Sequence, residues 1–211
     1  MKRNQTDIIV IGTGALAREF TAYFSSQVKI LGYSTHTPRD FKKFGLTGEP
    51  LPADLHPKES PTKNIVIAIG DPKIKKVIHK DLSKRGFTFP SIIHKSAIIS
   101  ESSLIGEGVV VGPFTVIGPN TNLKTLVYCN YHVGIGHDSQ IGEYTQINPG
   151  AQIGGNVTIH SESLIGSNST LLQSTLLNAP ITIGSGSVVL GRKNKAGTIA
   201  PIYSKYLPFL H

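Results

Sequence analysis

The chain has 211 residues, 39% of them apolar, a formal net charge of +8 and one cysteine, Cys129. That length allows one large or two small domains of ordinary globular composition. No apolar run approaches the ~18 residues of a membrane span, and Met1-Lys2-Arg3-Asn4-Gln5 has no apolar core behind it, so no signal peptide is expected. A lone cysteine excludes an intrachain disulfide, and these points together place the chain in the cytoplasm. The lysines are scattered, with small groups at 73–76 and 192–195, and no basic stretch is interleaved with aromatics. Nucleic acid is therefore not an expected partner. The surplus charge reads as a solvated surface or as attraction for an anionic cofactor and substrate.

In chain order, Asp7-Ile8-Ile9-Val10-Ile11 predicts a strand and Gly12-Thr13-Gly14-Ala15-Leu16-Ala17 a tight turn. A helix follows to about residue 24, then a second strand over 28–32. Residues 64–70, nearly all apolar, form a third strand of the buried parallel kind. Residues 73–85 form an amphipathic helix, and 88–93 lead into the next domain. Residues 1–92 are thus a small α/β unit with a parallel sheet, Rossmann-like but too short for the six-stranded fold. The spacing Gly12-x-Gly14-x-x-Ala17 is that of a phosphate-binding turn at a helix N-terminus, which makes Gly12, Gly14 and Ala15 candidates for binding the nucleotide portion of a substrate. Alone the motif is weak. The acidic residue of a dinucleotide site is replaced by Tyr33-Ser34-Thr35, which speaks against NAD.

A six-residue period then takes over. From Ile99 to Val189 every sixth residue is apolar, including Ile117, Cys129, Ile135, Ile147 and Ile165, and no insertion breaks the phase. Two positions earlier the residues are small or β-branched, as at Thr115, Thr121, Ser139 and Val157. Residues two apart on a strand share a face, so each hexad points one large and one small side chain inward. The position after the large residue is Gly or Asn in eleven of sixteen hexads, which predicts corners of positive φ there. Strand, corner and strand in every six residues make a parallel β-helix over 93–191 with 18 residues per turn, stacked at about 4.8 Å. Residues 192–211 are a tail expected to meet the open end of the solenoid.

Certain blocks carry a resemblance: the Gly-rich first turn, Ala68-Ile69-Gly70, Ile92-Ile93-His94-Lys95-Ser96-Ala97, Gly136-His137-Asp138-Ser139-Gln140-Ile141-Gly142, Pro149-Gly150-Ala151 and Gly154-Gly155-Asn156-Val157. Over nearly its whole length the chain resembles the NeuD/PglD family of sugar acyltransferases. The resemblance implies a left-handed β-helix, a homotrimer, acetyl-CoA as co-substrate without a metal, and a role in surface-polysaccharide biosynthesis. It implies His137 as general base, Asp138 as its orienting neighbour, and Gly155 as the amide that binds the thioester carbonyl. Gly154 lies beside that amide, and Gln146 stands where relatives often carry a second histidine near the thioester. The implied acceptor is a nucleotide-linked amino sugar, acetylated on nitrogen; O-acetylation of a sialic acid or another surface sugar is the second reading. Leu16 replaces a histidine seen in several relatives, and the usual ending is reduced to Ala200-Pro201.

Spacing bears on the same residues. His137 lies two after the inward Ile135, hence at a corner, and Gly155 follows 18 residues on, over the same corner. Asn130 and Tyr131 lie on the strand before His137 and are candidates to face the acceptor. Cys129 falls in the inward series and is core, not nucleophile. His36, His56, His79 and His211 have no visible partner, while His94 and His160 read as junction and exposed corner. Two readings of other classes stand beside the acyltransferase. His132 and His137 resemble part of the metal site of a γ-class carbonic anhydrase, but the phase supplies no third histidine. A non-catalytic trimeric scaffold is the other.

Overall fold

The computed structural model describes residues 5–35, 41, 43–46 and 49–190, and the backbone of 193–194 and 197–199. His36, His211 and most of the 192–211 tail lie outside the described residues. The chain divides into two compact units, Met1–Pro90 and Ser91–His211. No helix among the described residues is long and apolar enough to cross a membrane.

In the first unit β1 (Thr6–Ile11), β2 (Val28–Ser34), β3 (Glu49–Leu51) and β4 (Ile65–Ile67) form a sheet in the order β3-β2-β1-β4. All three pairings are parallel. The order reverses between β1 and β4, which opens a crevice at the carboxyl ends of those strands. Three details differ from the sequence expectation; the strand expected over 64–70 is confined to Ile65–Ile67. The second strand runs two residues past 32, and β3 was not foreseen, because Glu49-Pro50-Leu51 is a short edge strand with a proline and no apolar run. Helix α1 (Ala15–Phe24) buries Ala17, Phe20 and Phe24. Helix α2 (Pro72–Lys84) starts where Asp71 accepts hydrogen bonds from the Lys73 and Ile74 N–H groups, with proline in its first turn. Arg85 just beyond α2 pairs with Asp54 and Asp81.

In the second unit two- or three-residue strands recur from β5 (Ile92–Ile93) to β21 (Val188–Val189), followed by β22 (Lys193–Asn194) and β23 (Gly197–Ile199). They form three parallel sheets, each taking every third strand. The register Gly134↔Gln152, Ile135↔Ile153 fixes 18 residues per coil. The apolar positions fill the interior: Leu123, Cys129, Ile141, Ile147 and Ile165 are fully buried. The small positions are buried too, and their hydroxyls satisfy corner carbonyls. Thr115 donates to the Asn130 carbonyl at 2.6 Å, Thr121 to Gly136 at 3.0 Å and Ser139 to Gly154 at 3.1 Å. This explains why Ser and Thr alternate with Val and Ala at an interior position: the hydroxyl gives a partner to a carbonyl that the strand ladder leaves over.

The positive-φ positions are not where the glycines predict them. They fall every six residues from Gly108 to Ser174, three after the large residue, and include Phe114, Leu126, Tyr144 and Glu162. The glycine directly after the strand serves close approach instead. A Cβ at Gly118 would lie 2.9 Å from the His137 nitrogen, and one at Gly136 would lie 2.6 Å from the Gly155 nitrogen. At this corner the backbones of successive coils are too near for a side chain between them. Replacing Ile147, buried between the stacked Cys129 and Ile165, by alanine should cost about 2–5 kcal/mol of unfolding free energy. Chemical denaturation checks this, and a loss below ~1 kcal/mol would mean that the interior is not close-packed.

Candidate active site

Strand β12 (Gly134–Ile135) ends in a corner made by Gly136, His137, Asp138 and Ser139 before β13 (Gln140–Ile141). Asp138 holds φ +59° there, a conformation that Asp and Asn adopt more readily than most residues. This turns its carboxylate back on the preceding side chain: Asp138 Oδ2 lies 2.7 Å from His137 Nδ1. The other oxygen, Oδ1, accepts from Asn120 Nδ2 at 3.1 Å. Hydrogen bonds from His137 and then Asn120 hold the Asp138 carboxyl below the usual carboxylate range. An ionised carboxylate only accepts, so the proton of the His137–Asp138 bond belongs to Nδ1. Nε2 is then the basic nitrogen of the neutral ring.

That nitrogen faces the next coil. A Cβ built on Gly155 would fall onto the imidazole, with Nε2 nearest and Cε1 and Cδ2 at 2.7 and 2.9 Å. Only glycine leaves the ring this seat. The Gly155 N–H donates to no backbone carbonyl among the described residues. The fold does not need an N–H at this position, since Pro113, Pro119 and Pro149 occupy its equivalents in other corners. The corner therefore joins a half-exposed imidazole, an acidic orienting group and a spare backbone donor. Those are the parts of a general base with an oxyanion site.

The titration of Asp138 has a definite sign. A folded-state pKa lowered from the unfolded value adds stability that is present above the unfolded pKa and is lost as pH falls through the folded one. Carbon NMR of the Asp138 carboxyl should therefore give a midpoint below the ordinary aspartate value of about 3.9. A midpoint at or above that value would show that the contact with His137 does not persist in solution.

The remaining sequence candidates are dispersed. Gly154 adjoins Gly155 at the same corner. Gln146 begins β14 (Gln146–Ile147), on a different sheet from β12; it is almost fully buried and donates to Asn148 Oδ1 at 3.3 Å. Asn130 and Tyr131 lie in the corner before β12, not on a strand as the sequence reading had them. The Asn130 side chain accepts from the Tyr131 N–H at 2.8 Å, a turn-stabilising bond. His132 stacks on Phe114, centroids 5.1 Å apart, at the end of β12 opposite His137. Among the described residues no three His, Cys, Asp or Glu side chains converge as a metal site. The residue that sequence reasoning missed is Asn120; its signal is the 18-residue spacing to Asp138.

Gly12, Gly14 and Ala15 come together in the first unit. Gly12 has φ +108°, and a Cβ there would lie 3.0 Å from the Ala68 carbonyl oxygen. Gly14 caps α1, and Ala15 is its first residue. A cavity of about 390 Å³ opens here, lined by Gly12, Thr13, Gly14, Thr35, Ile69 and Asp81 among others. Thr13 and Thr35 meet through their hydroxyls at 3.2 Å. A volume of that order suits a nucleotide-sized ligand, and Gly14, the N-cap residue of α1, is part of its lining.

Residues 132–173 match the family described as bacterial transferase hexapeptide (six repeats). No curated protein matches the sequence. Among solved structures, the acetyltransferase domain of PglB from Neisseria gonorrhoeae is similar at 25% identity, with TM-score 0.75 over 90% of this chain and 97% of that one. The same domain in complex with acetyl coenzyme A is similar at 25% identity with TM-score 0.72, over 91% and 97%. PerB from Caulobacter crescentus, solved with CoA and GDP-perosamine, has the same fold at 21% identity and TM-score 0.81, over 90% and 91%. Repeat, fold and corner together define a hexapeptide-repeat transferase. Within that class the chain is similar, over most of its length, to the acetyltransferase domain of PglB.

Proposed function

We propose that the protein transfers an acetyl group from acetyl-CoA to the amino group of a nucleotide-linked amino sugar. The observation that carries this reading is His137 Nε2 seated against Gly155 while Nδ1 is held by Asp138. The acceptor amine attacks the thioester carbonyl carbon. The carbonyl oxygen gains negative charge, which the Gly155 N–H stabilises, and the amine proton passes to His137 Nε2. Collapse of the adduct expels the CoA thiolate, which takes the proton back from the imidazolium. Asp138 stays ionised and stabilises the imidazolium between these steps.

Gly154 and Gln146 serve the acyl donor in this reading, and Asn130 and Tyr131 the acceptor. The first unit is a Rossmann-like domain whose cavity at Gly12, Gly14 and Ala15 takes the nucleotide. The β-helix is left-handed and the assembly a homotrimer. Support for the acceptor class comes from the N-acetyltransferase PerB, solved with a GDP-linked amino sugar. The test is CoA thiol release with UDP-, dTDP- and GDP-linked amino sugars and their hydroxyl counterparts. Turnover with an amino sugar nucleotide and none with its hydroxyl counterpart is expected. Equal turnover with the hydroxyl compound would overturn N-transfer, and none with any acceptor would overturn the substrate class.

A further inference from the structure

We infer that Asn120 is a positioning residue for the acid–base pair, acting through Asp138. The inference rests on the proposed transfer reaction for its kinetic consequence, but not for its structural content. Asn120 lies one coil before Asp138, at φ +56°, in the same corner position. Its backbone N–H donates to Ser102 Oγ at 3.0 Å, one coil further back. Its side-chain amide donates to Asp138 Oδ1 at 3.1 Å, and Asp138 Oδ2 meets His137 Nδ1 at 2.7 Å. A column of corner residues, Ser102, Asn120 and Asp138, thus ends on the imidazole.

The physical need for such a column is clear. Asp138 is half exposed, and an aspartate on the surface rotates about its side-chain bonds unless both oxygens are held. With one oxygen on His137 alone, the carboxylate swings between the imidazole and water. With Asn120 on the other oxygen it is fixed as an acceptor in the plane that the imidazole needs, and Nδ1–H is the tautomer maintained. The same hydrogen bond is the second cause, after His137 itself, that holds Asp138 below the usual carboxylate range. Among the described residues the other charge in the stacked corners is distant. Pro119, Gly155 and Asn156 are neutral, and Glu101, two coils from His137, is about 10 Å away.

Glycine is the informative replacement, because it accepts φ +56° and removes only the side chain. Asn120→Gly should lower kcat about three- to tenfold, leave KM for acetyl-CoA unchanged, and leave the melting temperature within a few degrees. Nitrogen NMR of the His137 ring should change from the Nδ1–H tautomer to a mixture. Asn120→Asp, of nearly the same shape, sets a second carboxylate beside Asp138. It should move the acid limb of the rate profile to higher pH by about half a unit, the effect of one nearby charge through solvent. A purely structural role would move only the melting temperature. Unchanged kcat, pH profile and tautomer in Asn120→Gly overturns the inference. If the wild type shows no transfer to any acceptor, the tautomer readout still decides the role of Asn120, and the failure falls on the proposed function instead.

Discussion

His137→Ala is expected to lower kcat by about 10²–10⁴-fold, the usual contribution of a positioned general base. KM for acetyl-CoA should change little, because in the proposed mechanism the imidazole acts on the proton of the attacking amine and not on the bound cofactor. The half-exposed ring contributes little packing, so the melting temperature should stay near that of the wild type. Steady-state kinetics with the accepted amino sugar measure the effect. Wild-type turnover in this variant would remove His137 from the chemistry, and with it the reading of the corner as an active site.

Gly155→Ala is expected to cost nearly as much by a different route. The added methyl would occupy the space of the imidazole, whose nearest atom is Nε2. An exposed side chain can swing away, so the fold survives, with a stability loss of about 1 kcal/mol or less. In the proposed mechanism this displaces the imidazole by an ångström or more from the amide assigned to the oxyanion, and a misplacement of that size can cost about 10²-fold in kcat. Gly136→Ala is the contrasting control. Its methyl would meet the Gly155 backbone nitrogen at 2.6 Å, an atom that cannot swing aside, so stability should fall along with activity. Thermal melts and kcat of the two variants together separate a seat for the ring from a close contact between coils. Equal activity of Gly155→Ala and wild type would mean that the ring does not rest there.

Much of this was legible in the sequence, for a specific reason. A solenoid interior selects every inward residue, so Ile117, Ile135, Ile153 and Leu171 keep phase without a break and the 18-residue coil can be counted. That count alone sets Gly155 over His137. What it does not reveal is why a residue type is chosen. The glycines at 118 and 136 resemble turn-formers, yet they answer to backbones of adjacent coils, while the true positive-φ places mix Asn120, Asp138 and Gly150 with Phe114, Tyr144 and Glu162, so composition marks them only in part. The corner in which Asn130 lies, and the bond from the Tyr131 N–H to its amide oxygen, are likewise not written in the period. Asn120 occupies a positive-φ corner position, and its side-chain amide in addition reaches Asp138. Side-chain hydrogen bonds between coils depend on rotamers, which a periodicity does not encode. The edge strand β3 escaped for the opposite reason: its pairing with β2 comes from the backbone, and Glu49-Pro50-Leu51 has no pattern to detect.

The central claim is that acyl transfer occurs where His137 and Gly155 meet. A crystal structure of the protein with acetyl-CoA tests it most directly. The predicted result is the thioester carbonyl oxygen about 3 Å from the Gly155 nitrogen, with His137 Nε2 turned toward open space beside the carbonyl carbon. A thioester bound at another corner, out of reach of both groups, would contradict it.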